Sequence, residues 1–364
     1  MLIRTKIGNI NVKFSENLDF IKELWANNQN SIIVVGRNVY KLYKNNIFNG
    51  FSKKHIIILT LDEKTKNFST VSHLANKLLK FSAKKNLKVI SFGGGINQDV
   101  VGFTASTLYR GIRWIYIPTT LLSQADSAIG LKTSLNFKSY KNVLGTFYSP
   151  EDIIIDVSFL KTLKEIDYYS GLGEIIKLLL MDKNSMNKLE QIHTKLNKLI
   201  SCRDNEILIN IIKESMKIKL DYMIGDEKDY GKRNLLNYGH CFGHALESYS
   251  DYNIPHGTAI IFGIIFSNLV SFRKGWLNKN IFNYINKKIL FPGIPFKILK
   301  IKKDYFNRDG ILRKMMYDKK RTTKDLALVL PDNNLRMNKI LDYNVDEYKS
   351  DYSEFYQCIS SFIN

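Results

Sequence analysis

Over the first 160 residues, short apolar runs alternate with longer amphipathic ones. SIIVV at 31–35, HIIILTL from 55, KVISF from 88 and RWIYI from 113 are rich in β-branched and aromatic residues, as expected of strands covered on both faces. Stretches such as STVSHLANKLLKFSAKK lie between some of them and read as helices, and the opening MLIRTKIGNINVKF alternates like a strand. Strands separated by crossover helices predict a Rossmann-like parallel sheet, an architecture of nucleotide-binding type. From about Asp156 the period becomes helical, with helices predicted near 204–223, 234–247, 257–274 and 304–316. DLALVLP follows as a late strand, and a polar amphipathic helix starts near Val345. The expected fold is therefore α/β, with a parallel-sheet domain over 1–160 and a mostly α-helical domain over 161–364.

Composition changes this picture little. A chain of 364 residues with 45% hydrophobic and 24% charged content has room for two globular domains. The formal charge of +20 is unusual, but the lysines are spread among Asn and Ile, without an Arg-rich run or a nucleic-acid motif. Nucleic acid is not the expected partner; an anionic small molecule is. Cys202, Cys241 and Cys358 are widely spaced, which argues for a reducing compartment and against a disulfide framework or a thiolate metal site. With no signal-peptide core and no apolar run approaching membrane-spanning length, a cytoplasmic protein without a membrane partner is expected.

Candidate chemistry gathers in four places. After KVISF, the glycines of GGGINQDVVGF leave a strand and enter a helix, where backbone without Cβ atoms can approach a pyrophosphate; a tight strand-to-helix turn is the other reading. Asp126, Lys132, Lys141 and Asn142 lie in a polar stretch between two strands and suit a phosphate and the hydroxyls of a polyol, or else form a solvated loop. GLGEIIKLLLM places Glu174 and Lys177 three apart on an apolar helix, an arrangement that needs pairing or a ligand. Half of the six histidines fall in KRNLLNYGHCFGHALE and the PHG that follows it. On a helix, Asn237, His240 and His244 form one polar stripe, and with His256 and a carboxylate such as Glu174 they could hold a divalent metal. Capping or core histidines are the alternative.

Taken together, GGGINQDVVGF, YRG, IPTTLL, DSAIGLKT, KNVLGTFYSP, GLGEIIK, KRNLLNYGHCFGHALE, PHG and DKK resemble the motifs of the 3-dehydroquinate synthase family of sugar-phosphate cyclases over roughly residues 30–335. The resemblance implies an NAD-binding α/β domain, a helical domain and a divalent metal, zinc or else cobalt, held by Glu174, His240 and His256. It implies phosphate contacts from Lys132, Asn142, Asn237, His244 and Lys319 or Lys320, with Arg110 serving the neighbouring subunit of a homodimer. Asp126, Lys177 and Lys219 match positions around the reacting hydroxyls, and Arg233 matches the partner of a substrate carboxylate. Glu63, Lys66, Gly94, Gly95, Asp99, Thr119, Thr120, Lys141 and Thr162 match positions that hold NAD.

The reaction so implied converts 3-deoxy-D-arabino-heptulosonate 7-phosphate to 3-dehydroquinate and phosphate, with NAD recycled through hydride removal and return. A sister cyclase acting on sedoheptulose 7-phosphate or an amino analogue is the alternative, and a metal- and NAD-dependent polyol dehydrogenase is a further one. The chain departs from the family pattern at Gly36, Asn97, Gln98, Leu131 and Phe137.

Overall fold

The computed structural model describes residues 1–28, 31–81, 86–138, 140–316 and 325–363, and the chain divides into two compact units, Met1–Leu163 and Lys164–Asn364. In the first unit the described elements are β1 (Leu2–Arg4), β2 (Asn9–Ser15), α1 (Phe20–Asn27), β3 (Ile32–Gly36), α2 (Arg37–Tyr43), β4 (Ile56–Leu59), α3 (Phe68–Leu78), β5 (Lys88–Gly93), α4 (Gly95–Thr107), β6 (Arg113–Pro118), α5 (Leu121–Ala125), β7 (Lys132–Phe137), β8 (Tyr140–Phe147) and β9 (Asp152–Asp156). Seven strands form one sheet in the order β1-β2-β9-β6-β5-β3-β4, parallel except for the antiparallel edge pair β1 and β2.

The apolar runs become central strands because both of their faces are covered. Ile33 and Val35 of β3, Ile90 and Phe92 of β5, and Ile115 and Ile117 of β6 pack with Phe20 and Leu24 of α1 in one core cluster, each large apolar side chain contributing about 1.5–3 kcal/mol. Strand order reverses at β3, since β4 lies on one side of it and β5 on the other. In an open parallel sheet, ligands enter at the carboxyl ends of the strands at such a reversal. Here that edge is formed by Gly36, which ends β3, and Gly93, which ends β5.

The polar stretch between β6 and β9 is not merely a loop. It contains a separate antiparallel hairpin, β7 with β8, in which Lys132 pairs with Phe147 and Leu135 with Leu144. Thr133 of this hairpin lies against α4 at Gly102, where an added Cβ would come within 2.6 Å of the threonine methyl.

The second unit contains α6 (Glu165–Leu180), α7 (Leu189–Ser201), α8 (Asn205–Met223), α9 (His240–Tyr249), α10 (His256–Arg273), α11 (Lys279–Tyr284), α12 (Arg308–Met316), β10 (Leu326–Pro331), β11 (Met337–Tyr343) and α13 (Val345–Ile359). β10 and β11 pair antiparallel, and the second of them gave no strand signal in the sequence. Helix α10 is 18 residues long and apolar enough by length and composition to cross a membrane, which corrects the expectation that no run approaches that length. It is a core helix here, with 83% of that window buried inside the protein.

The predicted helix over 234–247 also needs correction. Lys232–Asn237 is a 3-10 turn, Gly239 takes a left-handed φ of 75°, and the α-helix begins only at His240. Asn237 therefore does not share a helical stripe with the two histidines. The left-handed turn is enforced by packing: a Cβ on Gly263 of α10 would fall 1.9 Å from the Gly239 carbonyl oxygen. A second backbone contact joins α10 to α6, since a Cβ on Gly257 would lie 1.8 Å from the Ser170 oxygen and one on Gly173 2.2 Å from the Gly257 oxygen. Glycine is required at both approaches, and together they bring α6, the start of α9 and the start of α10 to one point.

Candidate functional site

At that point in the second unit, Glu174 is 1% exposed. Its Oε1 lies 3.1 Å from His256 Nε2 and 3.6 Å from His240 Nε2. Its Oε2 pairs with Lys177 Nζ at 2.6 Å, one turn along α6. His244 completes the group: one ring nitrogen from each of His240, His244 and His256 lies within 4.8 Å of the others.

The far sides of two rings are held as well. His240 Nδ1 is 3.1 Å from the Tyr238 carbonyl oxygen, so it donates there, while His256 Nδ1 is 3.2 Å from Glu247 Oε2. With Nδ1 engaged, each Nε2 is directed toward Glu174. Glu174, His240 and His256, the two rings oriented from behind, offer three carboxylate and imidazole donors that fit a zinc- or cobalt-like ion, with His244 beside them.

The electrostatics follow from burial and neighbours. Burial alone would raise the Glu174 carboxyl, but Lys177 and the two imidazoles outweigh it and hold the group well below the usual range. Burial and then Lys177 hold His240 well below its ordinary value. For His256 burial also opposes charge, yet Glu247 and Glu174 push the imidazole up to about 9. The cluster thus keeps an ionised carboxylate beside one neutral imidazole.

A pocket opens beside this cluster, still within the second unit. Asn237, His240 and His244 line its polar side together with Asn234 and Lys339, and Leu326, Leu328 and Val329 of β10 form an apolar wall. Lys339 Nζ reaches Asn234 Oδ1 at 3.4 Å. Arg233 is not part of this lining. It is 4% exposed, its NH1 donates to the Glu227 carbonyl at 2.5 Å, and its backbone N–H donates to Asp226 Oδ2 at 2.9 Å. Lys219 is also buried, on α8. Lys319 and Lys320 lie outside the described residues.

In the first unit, several of the residues expected at NAD and at phosphate meet in one network. Lys66, 4% exposed, pairs with Asp99 Oδ2 at 2.9 Å and donates to Asn142 Oδ1. Ser134 ties the same two groups, its N–H to Asp99 Oδ1 at 2.7 Å and its hydroxyl to Asn142 Oδ1 at 3.0 Å. Asn136 donates to the Glu63 carbonyl and to Glu63 Oε1 at 2.9 Å each, while its Oδ1 accepts from the Asn142 N–H at 2.9 Å. Lys141 Nζ stands 3.9 Å from Glu63 Oε1. The network binds the hairpin to the loop before α3 and to the second turn of α4. Burial pushes the Asp99 carboxyl up, against the pull of Lys66.

Beside it, Gly94 caps the α4 N-terminus in extended backbone, and a Cβ there would meet the Thr120 methyl at 2.9 Å. A cradle of backbone N–H groups that tolerates no side chain fits a dinucleotide's pyrophosphate. Gly95 follows as the first helical residue, the Thr119 N–H donates to the Gly93 carbonyl at 3.1 Å, and Thr120 caps α5 with Ser123. Two of the departures from the family pattern are absorbed locally. Asn97 donates to Ser91 Oγ at 2.7 Å, and Gln98 exchanges hydrogen bonds with Ser127 at 2.7 and 2.8 Å, next to Asp126. Leu131, immediately before the exposed Lys132, takes a φ of 59°, a conformation that glycine adopts without strain. Arg110 sits on an exposed left-handed turn at φ 66°, and Thr162 shares a hydrogen bond of 2.9 Å with Tyr43.

Sequence reasoning passed over Ser134, Asn136, Asn234, Glu247 and Lys339. Only Glu247 left a usable signal, as the one carboxylate of α9, three residues past His244.

Comparison with known proteins gives the family and the fold. Residues 56–170 match the family description 3-dehydroquinate synthase N-terminal, and residues 171–321 match 3-dehydroquinate synthase C-terminal. A 3-dehydroquinate synthase of Dictyoglomus turgidum is 34% identical over 313 residues, 85% of each chain. Among solved structures, the 2-epi-5-epi-valiolone synthase ValA of Streptomyces hygroscopicus subsp. jinggangensis 5008, with NAD+ and Zn2+ bound, superposes with a TM-score of 0.84 at 21% identity, covering 98% of this chain and 99% of that one. A 2-deoxy-scyllo-inosose synthase complexed with carbaglucose-6-phosphate, NAD+ and Co2+ gives 0.76 at 22% identity, with 93% of each chain covered. Because the two family descriptions together cover well over half of its residues and its relatives share a third of their sequence with it, the chain belongs to the 3-dehydroquinate synthase family.

Proposed function

We propose that this protein is a 3-dehydroquinate synthase, a carbon–oxygen lyase of the shikimate pathway that acts in the cytoplasm as a homodimer. It converts 3-deoxy-D-arabino-heptulosonate 7-phosphate to 3-dehydroquinate and phosphate. The observation that carries the reading is the convergence of the Glu174 carboxylate with three imidazoles in a chain of this family. Bound NAD would accept and return a hydride, and a divalent ion held by Glu174, His240 and His256 would polarise the substrate's hydroxyls.

The chain's own residues do the rest. Glu63, Lys66, Gly94, Gly95, Asp99, Thr119, Thr120, Lys141 and Thr162 hold the dinucleotide, with the Gly94 cradle taking the pyrophosphate. Lys132, Asn142, Asn237, His244 and Lys319 or Lys320 bind the substrate phosphate, with Arg110 serving the neighbouring subunit, and so orient the group that leaves. Asp126, Lys177 and Lys219 bind the reacting hydroxyls and hold their protons. Lys339 adds a cation to the wall of the pocket that Asn237 and His244 line, and the apolar β10 side excludes water from the carbon skeleton. Arg233 pairs with the substrate carboxylate once its head leaves the Glu227 carbonyl.

That last requirement favours a second reading, a sister cyclase whose substrate lacks a carboxylate, because the Arg233 head is engaged within its own turn. Phosphate release by the purified protein with zinc and catalytic NAD separates the two. Turnover of the heptulosonate phosphate without accumulation of NADH supports the first. Turnover of sedoheptulose 7-phosphate alone supports the second, and net NADH formation from a polyol would remove both.

A further inference from the structure

Glu247 is a carboxylate where a carboxylate is expensive. It lies on α9, three residues past His244, and is 6% exposed. An ionised group at that depth costs several kcal/mol unless a partner compensates it. The partner is His256, whose Nδ1 stands 3.2 Å from Glu247 Oε2. The same ring presents Nε2 to Glu174 Oε1 at 3.1 Å, so His256 is bracketed by two acids, one at each nitrogen.

Glu247 also organises the chain that leads to this histidine. Its carbonyl accepts from the Ser250 hydroxyl at 3.1 Å and from the Tyr252 N–H at 2.9 Å. The Ser250 hydroxyl in turn accepts the Ile254 N–H at 3.3 Å, and Ile254 is fully buried two residues before His256. Backbone and side chain of one residue thus set both the path of the turn and the rotation of the ring. His240 is held differently, by the neutral carbonyl of Tyr238 at 3.1 Å. A carboxylate behind an imidazole does more than a carbonyl: it fixes the tautomer and also strengthens the far nitrogen as a donor.

We propose that Glu247 is a positioning residue of the metal centre, holding the His256 proton on Nδ1 so that, when an ion displaces the Nε2 proton, that lone pair is aimed at the ion. The proposal rests on the reading that His256 is a metal ligand. Loss of such a support weakens metal binding about 10- to 100-fold, and the effect belongs to metal affinity, not to substrate affinity.

The test compares the full-length protein with Glu247→Gln, Glu247→Ala and His256→Ala. Cobalt and zinc affinities are measured by competition with a chromophoric chelator, and the visible spectrum of the cobalt form is recorded. The expected result is tight binding of one ion by the wild type and its loss in His256→Ala. Glu247→Gln, which keeps an acceptor oxygen but no charge, weakens binding about tenfold with a near-native cobalt spectrum. Glu247→Ala weakens it toward a hundredfold and shifts the spectrum. Circular dichroism melting checks that each variant folds; if the alanine form does not, the isosteric glutamine form decides. Unchanged affinity and spectrum in folded Glu247 variants, with metal lost in His256→Ala, overturns the positioning role alone. Absence of metal binding by the wild type overturns the metal reading and this proposal with it.

Discussion

Both units bury a lysine against a carboxylate, and the two pairs differ in what surrounds them. Around Lys66 and Asp99 the neighbours are the Asn142 amide oxygen, which accepts from the lysine, the Ser134 N–H, which donates to the carboxylate, and a second carboxylate, Glu63, 3.8 Å from the lysine. Around Glu174 and Lys177 the neighbours are imidazoles whose nitrogens converge on the same oxygen. A pair tied to an amide, a backbone N–H and a second carboxylate braces the backbone that carries the proposed dinucleotide contacts. A pair crowded by lone-pair donors is built for something that accepts them, and a metal ion is the simplest such acceptor.

Five measurements break or sharpen that contrast. Glu174→Gln removes the charged ligand while keeping the shape, and turnover is expected to fall by about 10³-fold with the far-UV spectrum unchanged; native turnover would erase the distinction. Asp99→Asn leaves Lys66 with only the more distant Glu63, 3.8 Å away, so chemical denaturation is expected to show a loss of about 2 kcal/mol, below the range for a fully buried pair because Asp99 is 18% exposed. Replacing both partners, Lys66→Met with Asp99→Leu, should recover most of that stability, as a brace permits. Metal stripping by a chelator is expected to lower stability by about 2.7 kcal/mol relative to protein at a hundredfold excess of ion over Kd. Hydrogen exchange should report the change on α6 and α9 and leave the loop before α3 unaltered.

Smaller effects follow at the edges of the second unit. Lys339→Met is expected to raise KM about tenfold, roughly 1.4 kcal/mol, with kcat unchanged, since the lysine lines the pocket without joining the histidines. Least of all is the response of the Asp226 turn to acid. Burial would raise that carboxyl, but the N–H groups of Arg233, Tyr230 and Gly231 bring it below its ordinary value of 3.8. A carboxylate with a lowered folded pKa stabilises above the unfolded value and loses that contribution as pH falls through the folded one. Amide protection at 230–233, corrected for the intrinsic pH dependence of exchange, should therefore fall only below pH 3.8, and a fall near neutral pH would show that something else holds Arg233.

The first unit's sheet was legible because residues such as Val34 and Ile90, buried on both faces, leave unbroken β-branched runs. The β7–β8 hairpin was not, since Tyr140, Val143, Leu144 and Phe147 are exposed and no two-residue alternation survives in β8. The metal chemistry was visible in the histidine spacing, but its geometry was misread. Gly239 within a helical pattern looks like a tolerated weakness of about 1 kcal/mol, whereas it is a left-handed turn against α10. Glu247 escaped because its partner lies nine residues on, past a turn whose path depends on tertiary packing.

The contact of Gly173 with Gly257 bears on which ion the proposed site would accept. Side chains between two helices can compress or yield, but at this crossing two main chains already touch, and the residues that follow, Glu174 on one helix and the first turn of the other, inherit their separation from it. Such an aperture cannot dilate without parting α6 from α10. Ions that bond at about 2.0–2.1 Å suit it, and calcium, which demands about 2.3–2.6 Å and more oxygens, does not. Any discrimination by ionic radius at the proposed site would thus depend on two methyl groups that the chain does not carry.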